Sequence, residues 1–196
     1  MFIDSQIESQ KLKGSIEIIC GSMFSGKTEE LFRRLRRAQF ANQAILLVKP
    51  SIDERYASEE VVSHVGQSWA ALRCQQAQEI LALWKGEQIV AIDEAQFFDQ
   101  QIVAVCNELA NKGARVIIAG LDMDFKGNPF GPMPALMATA EYVTKVHAVC
   151  TRTGNLANYS FRKSENDKLV MLGETEEYEP LSRAAYYKAL RENSEK

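Results

Sequence analysis

Short runs of β-branched and other apolar residues alternate along this chain with longer stretches where apolar positions recur every three or four residues. The runs at 16–20, 44–49, 88–92, 115–120 and 142–149 predict strands, and the helical period occupies 28–41, 77–83 and 102–112. This alternation predicts a parallel sheet covered by helices, with ligands bound beyond the carboxyl ends of the strands. Two stretches break the rhythm. Residues 51–73 are polar and aperiodic, as in a long loop or irregular hairpin. Residues 150–182 carry short strand-like pieces at 159–162 and 169–172 between charged turns, and 181–190 predicts a last short helix. The expected organisation is a flexible arm at 1–14, an α/β domain at 15–149, a small β-rich appendage at 150–190 and a flexible tail at 191–196.

Between the first strand and the first helix stand Gly21, Ser22, Met23, Phe24, Ser25, Gly26, Lys27 and Thr28, a complete G-x-x-x-x-G-K-[ST] loop. Its backbone N–H groups and the helix N-terminus suit a polyphosphate. Lys27 is placed to reach the outer phosphates, and the Thr28 hydroxyl to ligate Mg²⁺. Four fixed positions match by chance in on the order of one chain in a hundred of this size. The strand–loop–helix setting makes chance rarer still. This chain is expected to bind a nucleoside triphosphate.

The strand at 88–92 runs into Asp93 and Glu94. In phosphate-loop proteins an aspartate at the end of a neighbouring strand holds the magnesium, which points to Asp93. Glu94, one residue on, faces elsewhere and suits a general base. A plainer role for both acids is capping the next turn, since carboxylates favour helix N-termini. Phosphoryl transfer needs an acceptor oxygen: water makes an ATPase, a bound hydroxyl makes a kinase with a second pocket. Phe97 and Phe98, then Phe125 and Phe130, sit on loops at the same end of the sheet and could stack a planar base. A nucleic-acid-dependent ATPase and a nucleotide-binding switch stay open on these residues alone.

Composition narrows the classes. A net charge of −3 and a pI near 5.6 argue against a broad basic surface for nucleic acid. The cluster Arg33, Arg34, Arg36 and Arg37 reads as a solvated helix face. No stretch approaches the roughly 20 apolar residues of a membrane span, and residues 1–13 lack an apolar signal core. Cys20, Cys74, Cys106 and Cys150 lie far apart, which fits a reducing, cytoplasmic setting.

Four motifs occur in order: G-S-M-F-S-G-K-T, then K-P-x-x-D-x-R-Y at 49–56, I-D-E-A-Q-F-F at 92–98, and G-L-D-x-x-F-x-x-x-P-F-G at 120–131. Together they closely resemble the type II, human-cytosolic-like thymidine kinase family, over 16–187. The resemblance implies an α/β fold: a P-loop (RecA-like), mostly parallel sheet flanked by helices, with a small C-terminal β-rich lasso domain. It implies transfer of the ATP γ-phosphate to the 5′-hydroxyl of thymidine or deoxyuridine with Mg²⁺, in pyrimidine salvage for DNA synthesis. Carried over by motif, Glu94 is the base and Arg55 lies near the transferred phosphate. Residues 21–28 with Asp93, Glu94, Ala95 and Gln96 bind ATP, and Thr28, Asp93 and Asp53 attend the magnesium. Met23, Phe97, Leu121, Phe125 and Phe130 match positions enclosing the nucleoside. Leu169, Val170, Met171, Leu172, Gly173 and Tyr178 match the lasso over the base.

Most family members brace the lasso with zinc on two C-x-x-C pairs. Here those pairs read Cys150-Thr151-Arg152-Thr153 and Ser182-Arg183-Ala184-Ala185, so one ligand of four remains. One thiolate cannot make a tetrahedral zinc site, and no structural zinc is expected. Packing by Leu181, Tyr186 and Tyr187 is expected to hold the region instead. The resemblance also implies a homotetramer and dTTP as feedback inhibitor; neither a nucleic-acid nor a membrane partner is expected.

Overall fold

A computed structural model describes residues 14–51, 60–62, 68–163 and 177–194. In chain order the elements are β1 (Ser15–Gly21), α1 (Lys27–Phe40), β2 (Ile45–Pro50), β3 (Glu60–Val62), β4 (Ser68–Ala70), β5 (Leu72–Cys74), α2 (Glu79–Leu83) and β6 (Ile89–Ile92). A single 3-10 turn at Ala95–Phe97 precedes α3 (Ile102–Asn111), β7 (Arg115–Leu121), α4 (Met133–Thr139) and β8 (Tyr142–Lys145). The chain then forms β9 (Ala148–Val149), β10 (Leu156–Ala157), β11 (Tyr159–Arg162), β12 (Tyr178–Leu181) and α5 (Arg183–Ser194).

The main sheet runs β5-β2-β6-β7-β1-β8, and every pairing in it is parallel. Side chains alternate between its two faces. Ile16, Ile18 and Cys20 of β1 pack with Val90, Ile92, Val116 and Ile118 on the face covered by α3 and α4. Ile19 packs with Leu31, Phe32, Leu35 and Ile117 on the face covered by α1. Because both faces are covered, the strands read as continuous apolar runs rather than alternating ones. No helix among the described residues is long and apolar enough to cross a membrane.

Glu17 breaks the apolar run of β1 and is buried on the α1 face. Arg34 Nη1 donates to its Oε2 at 2.7 Å, Arg115 Nη2 donates at 3.0 Å, and Arg34 also bonds Glu30 and Thr144. The arginine cluster is therefore not wholly a solvated face: Arg33 and Arg37 are exposed, but Arg34 turns inward to tie α1 to the sheet. Without Arg34, Glu17 keeps Arg115 as a partner but loses one charged donor. Arg34→Met is expected to cost about 2 kcal/mol, read as a lower urea midpoint.

Glu30 supplies a pH signature. The hydrogen bond from Arg33, joined by those from Arg34 against the upward push of burial, brings its carboxyl down to about 2. The folded value lies below the unfolded one, so this contribution is complete above the ordinary carboxylate range. It is lost as pH falls through that range toward 2. The stability gap between parent and Glu30→Gln, measured by urea unfolding, should close over that window.

Several elements differ from the pattern-based expectation. The run at 142–149 is two strands, because after Val146 donates its N–H to the Cys20 carbonyl the chain leaves the main sheet. Within 51–73, β3 and β4 pair antiparallel, and β5 extends the main sheet by three residues, too few to show a period. Helix α4 begins with proline in its first turn and buries Met133 and Leu136. Helix α5 continues to Ser194, so 191–194 are helical rather than part of a flexible tail. The strand expected at 169–172 and all of the arm expected at 1–14 except Gly14 lie outside the described residues. The C-terminal strands and α5 build a core of their own from Ala148, Tyr159, Phe161, Leu181 and Tyr186, with Phe24 and Met123 packed against it.

Candidate active site

The loop after β1 is closed by its own bonds. Ser25 Oγ and Lys27 Nζ both donate to the Ser22 carbonyl at 2.7 Å. Gly26 sits at φ 80°, a left-handed conformation that costs glycine little, and no side chain caps α1 behind it. The first N–H groups of α1 thus face the loop uncapped, which favours an anion there. Phe24 holds φ 61° without being glycine. The loop also leans on the C-terminal unit: Ser22 Oγ donates to Ala157 O at 3.3 Å, and Met23 N–H donates to Ser160 Oγ at 2.9 Å.

Strand β6 delivers the acids. Thr28 Oγ1 donates to Asp93 Oδ2 at 3.3 Å, so the loop hydroxyl and the strand-end carboxylate meet. These are hard oxygen ligands of the type magnesium takes, and they fit it. Glu94 N–H donates to Asp93 Oδ1 at 2.9 Å, while Glu94 itself is left-handed at φ 52°, ψ 39°. That twist sends the two neighbouring carboxylates different ways. Glu94 is half-buried, Ala95 and Gln96 are buried, and Gln96 Nε2 donates to Glu94 Oε2.

Aromatic residues line the far side. Phe97 and Phe130 meet edge to face, centroids 5.7 Å apart. Phe98, by contrast, is buried in the core under α3. Phe125 is held from three directions. Asp124 Oδ1 accepts the N–H groups of Lys126 and Asn128 at 2.9 Å, Tyr186 Oη donates to the Phe125 carbonyl at 2.8 Å, and the Arg162 guanidinium stacks 3.7 Å from the ring centroid. Arg162 Nε also donates to Tyr178 Oη at 3.0 Å. Beneath the phosphate loop, Lys145 Nζ lies 2.7 Å from buried Asp122 Oδ2, paired by charge though out of line for a hydrogen bond.

The described fold therefore gathers residues 21–28, 93–97, Leu121, Phe125 and Phe130 at and beyond the carboxyl ends of β1, β6 and β7, and Tyr178 of β12 is linked to Phe125 through Arg162. Asp53, Arg55, Leu169, Val170, Met171, Leu172 and Gly173 lie outside the described residues. Ser160, Arg162, Asp122, Lys145 and Tyr186 were not foreseen as neighbours of the site. One signal was available: Ser160 and Arg162 alternate in a short buried strand, so both point the same way.

Around Cys150 and Ser182, hydroxyls converge on one thiol. Thr153 Oγ1 lies 3.4 Å from Ser182 Oγ. Burial pushes the Cys150 thiol up, but hydrogen bonds from Thr153 and Ser182 outweigh it and bring it down to about 6. Arg152 Nη2 donates to Glu179 Oε2 at 2.8 Å, tying this turn to β12. Among the described residues no group of three or more His, Cys, Asp or Glu could hold a metal ion.

The chain matches the family model described as thymidine kinase over residues 14–186. It is 55% identical to the thymidine kinase of Bacteroides fragilis, over 100% of this chain and 98% of that one. The thymidine kinase of Porphyromonas gingivalis is 57% identical over 90% of this chain and 86% of its own length. Among solved structures, the flagellar accessory protein FlaH of Methanocaldococcus jannaschii is similar at a TM-score of 0.46 and 14% identity, covering 74% of this chain and 76% of that one.

Proposed function

Because this chain belongs to the thymidine kinase family, we infer that it transfers the γ-phosphoryl group of ATP to the 5′-hydroxyl of thymidine or deoxyuridine. The reaction is a salvage step that supplies deoxynucleotide for DNA synthesis. What supports this reading is the neighbourhood of Glu94: its N–H bonds Asp93, which meets Thr28, and its carboxylate accepts from Gln96, next in the chain to Phe97. A hydrolase needs only the first half of that site.

Residues 21–28 hold the triphosphate, with Lys27 released from the Ser22 carbonyl to the outer phosphate oxygens. Thr28 and Asp93 would hold magnesium, which when bound neutralises charge on the β- and γ-phosphates. Glu94 accepts the proton of the 5′-hydroxyl as that oxygen bonds to the γ-phosphorus and the bond from that phosphorus to the β,γ-bridging oxygen breaks, releasing ADP. Met23, Phe97, Leu121, Phe125, Phe130 and Tyr178 enclose the nucleoside and exclude water from the transfer.

The remaining assignments rest on the family resemblance. Arg55 stabilises the transferred phosphoryl, Asp53 joins the magnesium ligands, and residues 169–173 close over the base. Residues 15–149 form the ATP-binding domain, and 150–190, with the helix continuing to 194, form the lasso unit. That unit is held without zinc, by the apolar core around Tyr159 and Tyr186 and by the Arg152–Glu179 pair. The enzyme is cytoplasmic and homotetrameric, with dTTP as feedback inhibitor and no nucleic-acid partner.

ATP turnover measured with thymidine, other nucleosides or single-stranded DNA added in turn tests the reading. Thymidine monophosphate appearing with ADP supports it; stimulation by DNA alone contradicts it.

A further inference from the structure

Gln96 is 3% exposed, yet it stands on the turn between the proposed base and the aromatic wall. Its amide is committed at both ends. Oε1 accepts the Leu121 backbone N–H at 2.9 Å, and Nε2 donates to Glu94 Oε2. One side chain therefore ties the carboxylate after β6 to the end of β7.

Two glycines leave the space this needs. A Cβ at Gly120 would stand 2.9 Å from Gln96 Oε1, and one at Gly131, which sits at φ 50°, would stand 2.4 Å from the Gln96 carbonyl oxygen. The first site could yield by side-chain movement; the second is backbone and could not. Glu94 meanwhile occupies a left-handed conformation that residues with side chains rarely adopt. A strained backbone aims the side chain, and the amide fixes where its end lies.

Resting on the kinase reading above, we propose that Gln96 is a positioning residue whose amide holds the Glu94 carboxylate toward the acceptor hydroxyl. This replaces the nucleotide-binding role that the family resemblance implies for it. The Leu121 N–H withdraws density from the amide oxygen and so strengthens the N–H donor aimed at Glu94. That bond narrows the staggered positions open to the Glu94 carboxylate, and only some of them face the acceptor.

A double-mutant cycle separates this role from a structural one. Gln96→Met keeps similar volume and removes both bonds; Glu94→Gln removes the base. In the parent background Gln96→Met is expected to lower kcat by about 30-fold, the size of one hydrogen bond to a charged group. The KM for ATP should stay within about twofold. In the Glu94→Gln background the same change should lower the residual rate no further, because a group acting only through Glu94 has nothing left to position. An equal loss in both backgrounds, or a raised KM for ATP, overturns the proposal. If Gln96→Met melts too early to assay, Gln96→Asn, too short to span both partners, takes its place in the cycle. A parent enzyme that makes no thymidine monophosphate removes the kinase reading itself, and this proposal with it.

Discussion

Replacing Glu94 with glutamine is expected to lower phosphoryl transfer to thymidine by about 10³-fold and to leave ATP affinity nearly unchanged. The side chains are close in size, and the new amide oxygen still accepts the Gln96 Nε2–H, so the local shape persists. What disappears is the proton acceptor. Asp93, not Glu94, meets the Thr28 hydroxyl, so the nucleotide side of the site keeps its ligands. Calorimetric ATP titration beside single-turnover transfer makes the separation visible. A parallel loss of ATP affinity would assign Glu94 to the nucleotide instead.

Lys27→Met should act on the other half of the reaction. Lys27 Nζ donates to the Ser22 carbonyl, which also accepts Ser25 Oγ at 2.7 Å, so the loop retains a closing bond when lysine is removed. Folding stability is accordingly little affected. Binding loses a charged donor to the outer phosphates, so the KM for ATP should rise by about 100-fold, as for one or two charge-assisted bonds. The KM for thymidine should move far less. Steady-state titration of each substrate with the other saturating checks both values, and a thermal melt checks the stability.

The parts of this molecule that follow local rules were legible in its residues. Both faces of the main sheet are covered, so 18–20, 89–92 and 116–119 had to be continuous apolar runs. The glycine and lysine spacing of 21–28 carries its chemistry with it. Parts that depend on which segments meet were not legible. Lys145 lies at the end of one strand and Asp122 at the end of another, and only the β7-β1-β8 order brings them together. Arg34 looked like its exposed neighbours because nothing local distinguishes an inward arginine; its partner Glu17 stands on a strand 17 residues earlier. Tyr186 and Arg162 reach Phe125 only because the C-terminal unit folds back over the 120–131 loop. The four family motifs supplied from resemblance what spacing could not: the acceptor.

That acceptor is the central claim, and one comparison addresses it directly. The enzyme is incubated with γ-labelled ATP and either thymidine or 5′-deoxythymidine, which differs only in lacking the 5′-hydroxyl. Label is expected to move onto thymidine with one ADP formed per nucleotide product, while 5′-deoxythymidine yields no labelled nucleotide and little ADP. Release of labelled inorganic phosphate at the same rate with both nucleosides would contradict the account, because water would then be the acceptor.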